Sequence, residues 1–240
     1  MENRIDYKLI RDIFKCQKCK NPESDDFHKY FPDYPAVCFF GDPMTEKGRA
    51  KNVFIVGINP SKAEYEGKRP HLEKSPKKAL KSQLGYFEEF FKERYRFFRE
   101  AEKFFEDKEI TTKLGIEDNN IWNKVGYLDL VKCVTKSSKN KQWNGLRYSV
   151  KKQIKKNCQN YLERQLRLYQ PKLIIAYGRD VGEWFGVQDF YNESYNLISN
   201  PRRLGIECRV IYVPQRQGKH SRPEVNEIKA RIKEFLKNLY

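Results

Sequence analysis

Six cysteines punctuate the chain, and two of them form a Cys16-x-x-Cys19 knuckle near the N-terminus. Thiolates this close in sequence can grip one metal centre. Taken alone, the knuckle suits zinc, a redox dithiol or an iron–sulfur cluster. A thioredoxin-like dithiol would follow a strand, whereas here the preceding segment, Tyr7–Phe14, reads as a short helix. Cys133 closes the segment Leu130-Val131-Lys132-Cys133, and Cys158 falls within a long helical stretch. Four ligands from these distant segments would staple the N-terminus to the core. Read separately, Cys133 and Cys158 serve equally well as small buried hydrophobes. Cys38 and Cys208 lie inside apolar runs, where burial is the better reading.

The second chemical resource is charge. Lys and Arg number 48 against 32 Asp and Glu, and the resulting +16 creates a field that attracts polyanions, nucleic acid above all. Lys132, Lys136, Lys139, Lys141, Arg216, Lys219 and Arg222 all fall in or beside loops that follow apolar runs. A backbone-tracking role for them predicts binding that weakens steeply with salt. The competing reading is a Lys-rich surface that only solvates the protein.

The elements that must position these groups alternate along the chain. Val37–Phe40 and Val53–Gly57 are short apolar runs bounded by Gly and Pro and read as strands. A helical stretch is expected from about Ser75 to Glu106. Its Tyr86, Phe87, Phe90, Phe91, Tyr95, Phe97 and Phe98 recur at helical spacing, which indicates core packing rather than base stacking. Then follow a strand at Val125–Val131, a basic helix at Tyr148–Tyr169, a strand at Leu173–Tyr177 between Pro171 and Gly178, and a strand at Val210–Val213. An amphipathic helix at Pro223–Leu239 closes the chain. This alternation predicts a three-layer α/β/α sandwich with a central, mostly parallel, four-stranded-type sheet, as a single domain over residues 1–240. Ligands bind such sheets at the carboxyl ends of the strands. The loops after Val56, Leu130, Tyr177 and Val213 should therefore share one rim. The N-terminus lacks a basic-then-apolar signal pattern and no run is long enough to span a bilayer, so an intracellular, cytoplasmic protein without a membrane partner is expected.

Several segments, taken in order, resemble the uracil-DNA glycosylase superfamily, most closely its cluster-bearing, thermostable-type (family 4) branch. They are Cys16-Gln17-Lys18-Cys19, Gly57-Ile58-Asn59-Pro60-Ser61, Asp129-Leu130-Val131-Lys132-Cys133, Cys158-Gln159-Asn160-Tyr161-Leu162, Pro171-Lys172-Leu173-Ile174-Ile175-Ala176-Tyr177-Gly178 and His220-Ser221. The resemblance implies a four-iron four-sulfur cluster on Cys16, Cys19, Cys133 and Cys158, with zinc as the alternative. It also implies a monomeric DNA glycosylase of base-excision repair, acting on single- or double-stranded DNA by hydrolysing the N-glycosidic bond of uracil or another deaminated or damaged base. A non-excising, cluster-bearing nucleic-acid-binding relative is the alternative function.

The departures carry as much information. Gly57-Ile58-Asn59-Pro60 is closer to the loop of the mismatch-specific branch, where the Asn positions the attacking water. Arg69-Pro70 is followed by His71, where the family has an aromatic that stacks on the flipped base. His220-Ser221 lacks the Pro of the family's H-P-S, and the preceding Arg216-Gln217-Gly218-Lys219 is basic. Asp129 replaces an Asn that accepts from N3–H of uracil and donates to its O4. An ionised carboxylate only accepts, which predicts a changed base preference; the plain alternative is that Asp129 caps a nearby helix or loop.

By this resemblance Asn59 and His220 are the catalytic candidates, the first orienting water and the second donating to the departing base. The ordinary alternatives are a turn residue before Pro60 and a phosphate contact. The resemblance also implies that Gly57, Ile58, Pro60, Ser61, His71 and Asp129 line the base pocket, and Lys132, Arg216, Lys219 and Arg222 are expected to contact the nucleic-acid backbone.

Overall fold

Val53–Gly57 (β1), Val125–Asp129 (β2) and Leu173–Tyr177 (β3) are five-residue runs in which every residue is buried. That is the signature of strands covered on both faces. In the computed structural model of the protein, which describes residues 6–16, 18–19, 51–58, 96–116, 120–133, 143–187, 197–199, 204–214 and 222–237, these runs join Leu197–Ser199 (β4) and Arg209–Val213 (β5) in one sheet. The strand order is β2-β1-β3-β5-β4, with β2, β1, β3 and β5 parallel and only the short edge strand β4 antiparallel. The mostly parallel α/β/α sandwich expected from the alternating pattern is present, with one strand more than expected.

Alternation along each strand sorts side chains into two cores. Phe54, Val56, Leu128, Ile174, Ala176 and Val210 face one side, where Tyr7–Phe14 (α1), Tyr148–Tyr169 (α4) and Arg179–Phe185 (α5) contribute Ile13, Ile154, Leu162 and Val181. Val53, Ile55, Tyr127, Ile175, Ile211 and Val213 face the other. There Arg96–Glu102 (α2), Lys108–Leu114 (α3) and Arg222–Lys237 (α6) supply Phe98, Ile110, Ile228 and Ile232.

Local chemistry sets the helix ends. Asp6 caps α1 by accepting from the amides of Lys8 and Leu9 at 2.9 and 3.0 Å, and Asp107 caps α3 in the same way. α4 stops at Gln170, which adopts a left-handed conformation (φ 46°) immediately before Pro171, a residue that disfavours helix before it.

Two expectations shift. The described part of the stretch expected to be helical to Glu106 is helical only over Arg96–Glu102. It then turns so that Phe104 and Phe105 enter the core, their amides bonding to the carbonyls of Ala101 and Glu102. The strand expected to reach Val131 ends at Asp129. The strand expected at Val37–Phe40 and the first part of the Ser75 stretch lie outside the described residues.

Candidate functional site

The first group of functional side chains gathers between α1 and α4. An ion pair between Arg164 and Asp12 at 2.9 Å helps hold α1 against α4, and the chain leaves α1 directly into Cys16, whose amide bonds to Ile13 O. Cys158 occupies the buried face of α4 with Ile154 and Leu162, one turn away on either side. Cys19, Cys133 and Cys158 are buried in one cluster, with Cys16 half-buried against it. Burial pushes the Cys158 thiol well above its ordinary pKa, and Cys133, Cys19 and Cys16 each push it further. Three thiols thus act on Cys158 in a low-dielectric corner, a situation that a cationic centre would relieve.

Two neighbours address the sulfurs. Asn157 Nδ2 donates to Cys19 Sγ at 3.1 Å. The Tyr161 hydroxyl is hydrogen-bonded with Cys16, and burial first and then that contact hold its pKa above the ordinary value. Thiolate ligation with donors aimed at the sulfurs fits an iron–sulfur centre. Among the described residues, no three His, Cys, Asp or Glu side chains are grouped to hold a single metal ion.

The second group stands at the carboxyl edge of the sheet, where Gly57 of β1 is in register with Asp129 of β2, and Tyr177 of β3 with Val213 of β5. Four loops therefore leave from one rim, as the alternating pattern predicts. Backbone bonds from Leu130 N to Gly57 O (2.9 Å) and from Val131 N to Ile58 O (2.8 Å) extend the pairing past the strands and fix the first residues of two of those loops. Tyr127 and Asp129, two apart on β2, point to the same face, and the Tyr127 hydroxyl donates to Asp129 Oδ1 at 2.9 Å. Gly57 makes this contact possible: a Cβ there would lie 2.0 Å from Tyr127 Oη and 3.2 Å from Asp129 Oδ1. Asp129 is 3% exposed, and its Oδ2 is buried without a hydrogen-bond partner among the described residues. Burial raises its pKa to about 7, against the opposing pull of Lys132 and the Tyr127 hydroxyl.

The structure corrects the reading of Lys132 as a contact to the nucleic-acid backbone. Lys132 is 1% exposed and its Nζ donates to the Asp129 carbonyl, so its charge acts inside the protein. Ile58 is half-buried at the start of the first loop. Asn59, Pro60, Ser61, His71, Arg216, Lys219 and His220 lie outside the described residues, as do Lys136, Lys139 and Lys141 and the side chain of Arg222, whose backbone opens α6. Tyr127, Asn157 and Tyr161 were not singled out from the sequence. The available signals were position alone: Tyr127 two before Asp129 on a strand, and Asn157 and Tyr161 one before and three after Cys158 on a helix.

A doubly wound α/β protein with its polar groups at the carboxyl ends of parallel strands binds its ligand at that edge. The family model of the uracil DNA glycosylase superfamily matches residues 45–196, well over half of the chain, and the protein belongs to this superfamily. The match takes in Gly57, Asp129, Cys133 and Cys158, whereas Cys16, Cys19 and His220 lie outside it. No curated protein shows significant similarity to the chain.

Proposed function

We propose that the protein is a DNA glycosylase that hydrolyses the N-glycosidic bond of a damaged base, and that Cys16, Cys19, Cys133 and Cys158 hold a four-iron four-sulfur cluster. The observation that carries the first part is the Gly57–Asp129 edge in a chain of this superfamily: a buried, unsatisfied polar atom on the ligand-binding rim. In the reaction the bond between C1′ and the base nitrogen breaks, the water oxygen bonds to C1′, and a water proton ends on the released base or solvent. Asn59 would orient that water from the loop after β1. As an amide it is a weak base, which suits a reaction in which the sugar cation develops early. His220, in the loop after β5, would donate to the base as negative charge grows on it; a donor so placed contributes about 3–4 kcal/mol.

The crossover topology supports nucleic acid as substrate. α4 begins after the loop that leaves β2, so its N-terminus stands at the carboxyl rim. That end carries exposed Arg147 and Tyr148, the latter 69% exposed, with Lys152 one turn on and no acidic residue in the first turn. Basic residues oppose the helix dipole at this end, and a phosphate bound there would relieve the conflict.

For the cluster, support comes from the three thiols that act on Cys158 and from the donors at Cys19 and Cys16. Thiolates around one zinc, with bonds of about 2.3 Å, would have to stand closer than those at separate corners of a cluster. When bound, the cluster would cross-link the N-terminal knuckle to β2 and α4. The deciding experiment is single-turnover excision on oligonucleotides that each carry one modified base. Asn59→Ala and His220→Ala should each slow excision by 100-fold or more, on the order found for loss of one transition-state donor, with DNA affinity nearly unchanged. Wild-type protein inert on the whole panel would defeat the glycosylase reading and favour a non-excising nucleic-acid-binding relative.

A further inference from the structure

Asp129 is anomalous on physical grounds alone. Its Oδ1 is satisfied by Tyr127 at 2.9 Å, whereas Oδ2, also buried, has no partner among the described residues. Lys132, the nearest cation, bonds the Asp129 backbone carbonyl. Buried polar atoms in folded proteins are mostly paired. Asp129 Oδ2 is one of several buried side-chain atoms without a partner among the described residues, and it is the one that belongs to a strand of the sheet. Asp129 stands at the end of β2 on the edge where ligands of such sheets sit. A ligand seated on that edge can supply the partner that the described residues do not.

The chemistry of the carboxylate narrows that group. Ionised Oδ2 only accepts hydrogen bonds. A carbonyl facing it would set lone pair against lone pair, whereas an N–H would complete the pairing. We propose that Asp129 is the residue that selects the base, taking a hydrogen bond from an exocyclic amino group at Oδ2. The protein accordingly prefers a damaged base that keeps its amine, such as an oxidised cytosine, over the deaminated counterpart with a carbonyl in that position. This rests on the glycosylase reading for its substrate, but the recognition itself does not require cleavage.

The surroundings make the preference sensitive to pH. Burial raises the carboxyl to about 7, while Lys132 and the Tyr127 hydroxyl, the charged and titratable groups acting on it, draw it down. Above that value Oδ2 accepts from an amine; below it the protonated carboxyl can donate to a carbonyl. The rings of Phe97 and Phe98 pack edge-on against Tyr127, and they do not titrate.

The test uses two oligonucleotides that differ in one base, 5-hydroxycytosine against 5-hydroxyuracil, that is, in the amine or carbonyl at C4 and the accompanying proton at N3. Binding and single-turnover excision are measured at pH 6 and pH 8 with the full chain. Wild type should favour the amino-bearing base by 10-fold or more at pH 8, with the ratio narrowing at pH 6. Asp129→Asn, which can donate and accept at any pH, should bring the ratio below one and make it independent of pH. Tyr127→Phe, which removes one of the groups that lower the Asp129 pKa, should move the narrowing to higher pH; this second variant guards against a fold defect in the first. If neither base is excised but wild type binds the amino-bearing strand more tightly, the glycosylase reading fails and the role of Asp129 stands. Equal binding and excision of the two strands, or a ratio that Asp129→Asn leaves unchanged, overturns the proposal.

Discussion

Replacing Asp129 by Asn isolates a cost that the fold itself imposes. In the folded protein burial raises the carboxyl from its ordinary 3.8 to about 7. Below 3.8 both folded and unfolded chains hold the proton, and the group adds no pH dependence. Between the two values the unfolded chain is ionised while the folded chain keeps its proton, so the unfolded state binds fewer protons and stability falls as pH rises. Above about 7 both are ionised and the loss is complete. The interval from 3.8 to about 7 corresponds, at about 1.4 kcal/mol per pH unit, to roughly 4 kcal/mol in total. About 2 kcal/mol of this falls between pH 5.5 and 8. Asn has nearly the same shape, can still accept from Tyr127, and does not titrate. Urea unfolding at intervals from pH 5.5 to 8.5 should therefore show the wild type losing about 2 kcal/mol relative to Asp129→Asn up to about pH 8 and running parallel to it beyond. Curves that stay parallel throughout would mean that Asp129 is ionised and solvated across the range, and the reasoning from its burial would be wrong.

Gly57→Ala should destabilise the protein by about 1–3 kcal/mol through overpacking, since its Cβ would fall 2.0 Å from Tyr127 Oη. Combining it with Tyr127→Phe should recover part of the loss in thermal unfolding, whereas simple additivity would show that the two residues do not compete for space. Anaerobically purified protein should be brown. Cys133→Ala or Cys158→Ala should bleach it and lower Tm, while Cys208→Ala, buried away from the other thiols' influence, should keep the colour. Colourless protein with one zinc per chain would replace the cluster with a zinc staple. Affinity for short DNA should drop steeply with salt, and replacing Arg216, Lys219 and Arg222 together by Ala should reduce the log–log slope by about 3 if each meets a phosphate. An unchanged slope would assign these charges to solvation. Tyr148→Ala should weaken DNA binding by about 1–3 kcal/mol if its exposed ring stacks on a base, read from titration at fixed salt.

Much of the frame was legible because it is local. Tyr7–Phe14, Val53–Gly57, Tyr148–Tyr169 and Leu173–Tyr177 run between the residues expected, since periodicity, Pro171 and Gly178 mark them without outside help. The shared rim followed from strand–helix alternation alone. What escaped lacks a local signal. Lys108–Leu114 buries a single apolar residue, Ile110. Arg179–Phe185 begins at Gly178, which has no side chain to cap it, and carries Gly182 in its interior. Leu197–Ser199 is three residues long and exists as a strand through its pairing with β5.

The site divides in the same way. The sequence by itself determined which residues are available: four thiols in three segments, a carboxylate at the end of β2, a glycine at the end of β1. Tertiary structure decided what each does, because a side chain's role depends on neighbours far away in the chain. Lys132 reads as a solvent-facing cation until the fold buries it on the Asp129 carbonyl. Gly57 reads as room for a ligand until Tyr127, 70 positions later, is found to need that space. Asp129 reads from the sequence as a pocket carboxylate; only the fold, by setting it at the end of a buried strand against the Tyr127 hydroxyl, withdraws it from water.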